Sequence, residues 1–159
     1  MSLYDWLLFL HVLTAFSLVA GVVVQTYLFV ASIRLDRPAE VVTRFRLAPV
    51  ADVLSGIGAG GTLVFGIWLA FEVDGYHIWN GWIIAALVLW AFVGAMGGRV
   101  AKHHNDARNL ARKLVAEGRN EPSAELAARL RSSRGLVLQG LVIAGILLIL
   151  LDMIWKPGA

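Results

Sequence analysis

His11 lies inside a long apolar run, and it has polar company. Between Asp5 and Arg34, the residues His11, Thr14, Leu18, Gly21, Gln25, Leu28 and Ser32 recur at alternating steps of three and four. That spacing puts them on one face of a helix. The other faces carry Leu, Val and Phe. Lipid penalises an exposed His or Gln, so the polar face is expected to look into a protein bundle. Other groups able to do chemistry fall at a similar depth: Asp152 near the end of the last apolar run, and Glu72, Asp74 and His77 around a short loop. An imidazole with carboxylates suits a divalent metal, and a buried imidazole suits haem iron. His11 is thus the candidate cofactor ligand. His11, Glu72, His77 and Asp152 are the candidate metal set, with Asp74 beside them. The competing reading is of ordinary polar residues at helix ends, with His11 hydrogen-bonded to Asp152 or to a backbone carbonyl. Asp74 and His77 also read as solvated loop residues.

A second constellation sits at the other end of the same runs. Gln25, Ser32, Asp52, Ser55 and Gln139 occur at overlapping depths. Asp52 is close to a basic segment, so a salt bridge to Arg44, Arg46 or Arg99 is expected. The functional alternative for Gln25, Asp52 and Gln139 is a polar passage or a quinone-headgroup site. His103 and His104 are adjacent and therefore point to different helix faces, a weak ligand pattern. They read as solvated or as touching lipid headgroups.

The elements that must position these groups follow from composition. Hydrophobic residues make up 58% of the chain and charged residues 16%, against roughly a quarter charged in a soluble domain. Four apolar runs are each about long enough to cross a hydrocarbon core. The expectation is an all-α, four-helix transmembrane bundle, one domain over residues 1–159, with spans at about 4–33, 50–71, 79–100 and 136–155. There is no cysteine, so disulfide and thiolate chemistry are excluded. A cleavable signal peptide is not expected, because the N-terminus lacks a basic region and the first apolar run is too long.

Between the first two spans, Pro38 opens a short helix that Asp36 can cap and Pro49 ends. Its Val42 and Phe45, with Val50, are expected on the membrane surface and its Arg44 and Arg46 at headgroups. The second span is rich in small residues. Gly56 and Gly60 form a small-xxx-small pair, as do Gly94 and Gly98 in the third span; both pairs are expected at helix–helix contacts, within one chain or between protomers. Residues 101–135 are charged and helical in composition. They read as two helical extensions joined by a tight GRNEP turn, with Gly118 as a C-cap. The segment carries no Walker, Rossmann or nuclease motif, and the basic balance needs no nucleic acid to explain it.

The basic residues give an orientation. Arg34, Arg37, Arg44 and Arg46 follow the first span. Arg99, Lys102, Arg108, Arg112, Lys113, Arg119, Arg129, Arg131 and Arg134 follow the third, and the loop after the second has none. Both basic segments are expected in the cytoplasm and both termini outside, in a multi-pass protein of a bacterial inner membrane. Tyr4, Trp6, Tyr76, Trp79, Trp82 and Trp155 fall at the outer face as an aromatic belt. Membrane lipids, anionic headgroups at the basic extension, and a homo-oligomer or larger membrane complex are the expected partners.

FLHVLTAFSLVAG in the first span, GTLVFGIWLAF in the second and WNGWIIAALVLW in the third resemble a bacterial family of four-helix membrane proteins of unknown function. That family is similar to the copper-resistance-D-like membrane proteins and, more distantly, to the HemJ-type protoporphyrinogen oxidases. In the latter a first-helix histidine is associated with haem, and the resemblance implies that role for His11. Those enzymes also use a lysine in the third helix. Here the nearest, Lys102, lies beyond its end.

Two classes of function follow. One is a cofactor protein holding haem b or copper through His11, for redox chemistry or metal handling. The other is a non-catalytic accessory membrane subunit, with close-packed glycines and a basic extension for lipid or a partner.

Overall fold

A chain that crosses lipid must satisfy its backbone polar groups internally, and long apolar runs do so as helices. The computed structural model describes residues 2–73 and 75–157. Among them are six α-helices, one 3₁₀ turn and no strand: α1 (Leu3–Ser32), α2 (Pro38–Arg44), the 3₁₀ turn Phe45–Leu47, α3 (Ala48–Glu72), α4 (Gly81–Ala116), α5 (Ala124–Leu130) and α6 (Ser133–Trp155). Four helices long and apolar enough to cross a membrane run through α1, α3, α4 and α6. Large apolar side chains stay open around them, Phe16 at 69%, Ile57 at 61% and Phe71 at 72% exposed. A monomer in water rarely shows so much apolar surface, and hydrocarbon covers it at no cost.

The bundle is two antiparallel pairs. In the first, α1 lies against α3. The polar stripe of α1 is the contact face: Thr14 meets Gly61, Leu18 meets Gly58, and Gly21 meets Ser55 and Ala51. A Cβ at Gly58 would overlap the backbone of Leu18, so glycine there permits contact at backbone level. Ser17 Oγ donates to the Leu54 carbonyl across the same seam (3.1 Å). In the second pair, α4 lies against α6, with Gly145 under Val93 and Gly135 under His103. Val22 of α1 joins Val93, Val100 and Val142 to close the two pairs on each other.

The glycines of the expected small-xxx-small pairs do not make these contacts. Nothing lies within 4 Å of a Cβ built at Gly56, Gly60, Gly94 or Gly98. The reason is angular. Gly56 and Gly60 each stand two residues from Gly58, about 200° around the helix at roughly 100° per residue. They face outward when Gly58 faces α1.

The charged end is a folded cap. α4 does not stop near residue 100 but continues to Ala116. It ends in a Schellman arrangement, with Arg119 N–H donating to the Leu114 carbonyl (2.9 Å), Gly118 N–H to that of Val115 (3.0 Å), and Gly118 at φ +71°. After the GRNEP turn, α5 packs beside α4 and α2. Val41, Phe45, Ala107, Ala111, Leu126 and Leu130 form one buried cluster with Leu28 of α1. Two hydrogen bonds fasten the segments: Ser123 N–H donates to the Asp36 carbonyl (3.0 Å), and Ala39 N–H to the side-chain Oδ1 of Asn120 (3.0 Å). Phe45 is therefore 4% exposed within the cap rather than spread on the membrane surface. Asp36 does not cap α2, whose N-cap is Arg37, and Pro49 opens α3 instead of ending α2. Proline is preorganised for a first helical turn, where its missing N–H costs nothing.

Candidate functional site

Within α1, His11 is placed by the glycine of another helix. Gly66 follows Thr62 by one turn of α3, and a side chain at Gly66 would screen the Thr62 carbonyl. A Cβ there would stand 2.9 Å from His11 Cε1 and 3.1 Å from Nδ1. With glycine, the half-buried ring reaches in and Nδ1 lies 3.0 Å from the Thr62 carbonyl oxygen. A carbonyl only accepts, so Nδ1 carries the hydrogen. Thr14 Oγ1 donates back to the Leu10 and His11 carbonyls (2.8 and 3.0 Å) and receives Thr62 Oγ1 at 3.4 Å. The ring is thus held at one nitrogen, as second-shell carbonyls hold metal-ligating histidines, while Nε2 keeps its lone pair. Of the alternatives left by the sequence, the partner of His11 is the backbone carbonyl and not Asp152.

The expected metal set does not assemble. No group of three or more His, Asp or Glu positioned to hold an ion occurs among the described residues. Glu72 is exposed at the end of α3. His77 is exposed and stacks on Trp79 (ring centroids 5.0 Å, 13° between planes). Asp152 is half-buried in α6, its Oδ2 enclosed without a hydrogen-bond partner. Each belongs to a different element, and antiparallel packing brings His11 to α3 rather than to α6. Asp74 lies outside the described residues.

At the charged end the polar residues do meet. Gln25 Nε2 donates to Asp52 Oδ1 (3.1 Å), and Asp52 Oδ2 pairs with Arg108 Nη1 at 3.0 Å. The expected partners Arg44, Arg46 and Arg99 are not used. Arg108 wins because α4 carries it inward past residue 100; its side chain is only 10% exposed. Gln139 is buried and separate, donating from Nε2 to Thr26 Oγ1 (2.7 Å). Beside the Asp52–Arg108 pair is a cavity of about 10 Å³, the size of one water, lined by Gln25, Phe45 and His104 among others.

His103 and His104 are corrected by the structure. His104 is 6% exposed and stacks on Phe29 at 4.5 Å. His103 is half-buried, its ring edge-on to Phe29 and over Gly135, and the Nε2 atoms of both are enclosed without partners. Burial, with His103 beside it, pushes the His104 imidazole down to about 4; Asp52 opposes this and Arg108 adds to it. The group sits beyond Arg99 and Lys102, outside the apolar part of α4. A sequence signal existed: Val100, His104, Ala107, Ala111 and Leu114 continue a four–three–four–three stripe past the charged boundary.

Four antiparallel apolar helices with lipid-facing surface, capped at one end by a basic helical layer, define a multi-pass integral membrane protein. The chain belongs to the family described as predicted integral membrane protein (DUF2269), whose model matches residues 5–157. No curated protein and no solved structure matches the chain.

Proposed function

We propose that this membrane protein binds haem through His11 and serves redox chemistry. The observation that carries the reading is the bond from His11 Nδ1 to the Thr62 carbonyl at 3.0 Å. It fixes the tautomer in which Nε2 is a free donor, the form that ligates iron. A lone imidazole suits haem, whose porphyrin brings four nitrogens of its own. Copper needs several protein donors, and His11 has no such company among the described residues. When bound, haem supplies one-electron chemistry. The chain's own part is to orient the imidazole, through Thr62, Thr14 and the gap at Gly66. The first span also resembles the HemJ-type proteins, in which a first-helix histidine is associated with haem, and His11 would take that role here.

The test is an absorbance spectrum and metal analysis of detergent-purified protein, expressed with haem precursor and copper both supplied. The expected outcome is a Soret band at one haem per chain that His11→Ala abolishes while the helical content stays. If wild-type protein carries no stoichiometric haem, the reading fails and His11 is a packing residue. The second reading, a non-catalytic accessory subunit, is favoured by one observation: the basic segments fold into a cap offering exposed arginines to lipid or to a partner.

A further inference from the structure

Because Arg108 occupies Asp52, the arginines after the first span are left over. Arg44 and Arg46 are exposed and take part in no ion pair among the described residues. Both line an open groove of about 700 Å³ between α1 and the α2–3₁₀ segment. Thr43 and Glu40 complete its polar rim, and Tyr27, Leu28, Leu35 and Leu47 form its apolar side. The groove is thus amphipathic along its length. Tyr27 stands five residues before Ser32, the last residue of α1, about 7 Å deeper at ~1.5 Å per residue. Arg44 closes α2 and Arg46 lies in the 3₁₀ turn, just before α3, where the apolar span begins.

We propose that this groove is a binding site for one anionic phospholipid, with Arg44 and Arg46 on its phosphate and an acyl chain along Tyr27 and Leu47. Guanidinium groups match phosphate oxygens in paired hydrogen bonds. Two guanidiniums against the single carboxylate of Glu40 leave the rim positive, complementary to an anionic headgroup. The apolar side argues for a lipid over free phosphate, since a soluble anion leaves Tyr27 and Leu47 uncovered, at 62% and 60% exposed. The site is independent of any group at His11.

The protein is reconstituted in nanodiscs holding equal phosphatidylglycerol and phosphatidylcholine, and retained lipid is read by native mass spectrometry. Wild-type protein is expected to keep one phosphatidylglycerol in preference. Arg44→Gln with Arg46→Gln should lower that preference about tenfold or more, given the attraction of each basic residue to anionic lipid. Glu40→Gln should raise it, an opposite sign that misfolding does not produce. Arg112→Gln with Lys113→Gln removes the same charge from exposed positions on α4 that do not line the groove, and should lower the preference less than the groove pair does. The site is overturned if the groove variant keeps the wild-type ratio, if the α4 variant loses as much, or if Glu40→Gln lowers the preference. Displacement of the lipid by inorganic phosphate at constant ionic strength overturns the lipid assignment.

Discussion

At the scale of single residues, two histidines have opposite surroundings. His11 has a hydrogen-bond partner because Gly66 has no side chain. Gly66→Ala should push the ring from the Thr62 carbonyl and lower stability in detergent by roughly 1–3 kcal/mol, as overpacking does. An unchanged melting curve would mean that the ring swings aside freely. His104 is instead enclosed between Phe29 and Phe45 with Nε2 unpaired. Its folded pKa, about 4, lies below the ordinary 6.5. Below about pH 6.5 the unfolded chain therefore binds more protons at this site than the folded one does. The stability it contributes is complete above that pH and is lost as the pH falls toward about 4. His104→Phe keeps a ring in the stack but cannot titrate. Melting between pH 7 and pH 4.5 should fall less steeply in this variant than in wild type; parallel curves would show that the ring is charged or solvated in the folded protein.

At the scale of elements, the glycines separate what sequence spacing shows from what it hides. The stripe from His11 to Gln25 was legible because polar side chains on an apolar helix mark one face only. Spacing singles out Gly56 and Gly60 rather than the glycines that meet α1, because α3 has small residues on several faces, and glycine alone carries no sign of which face is covered within the chain. The partner helix decides, and it takes Gly58, Gly61 and Gly66. Gly58→Ala should cost roughly 1–3 kcal/mol, near the upper end because the atom it meets is Leu18 backbone, which cannot rotate away. Gly60→Ala should stay within about 0.5 kcal/mol, as outward substitutions do. Equal losses in detergent melting would put the α1–α3 contact on the wrong face. The cap was half legible. The Gly118 stop and the restart after Pro122 are local signals, but the docking of Phe45 and Val41 onto α4 is a tertiary choice. An amphipathic helix can satisfy its apolar face on lipid or on protein, and only the continued stripe from Val100 to Leu114 pointed to protein.

At the scale of the whole molecule, the question is which way the bundle stands. The loop between α3 and α4 holds no Arg or Lys, while the two segments that build the cap hold most of the basic residues. Short basic loops resist translocation, which predicts the cap in the cytoplasm and both termini outside. Packing strengthens the argument, because the two basic segments share one buried cluster and the Asp52–Arg108 pair. They cannot end on opposite sides of the membrane without dismantling that core, so a partly inverted topology is excluded along with its mixed reporter signals. A green fluorescent protein inserted in the turn between Gly118 and Pro122 should fluoresce, and one fused to the C-terminus should stay dark when exported unfolded. Alkaline phosphatase at the same two positions should give the reverse pattern. A fluorescent C-terminal fusion with an active phosphatase in the turn would invert the whole bundle, carry the Arg44–Arg46 groove to the outer leaflet, and place His11 on the cytoplasmic side.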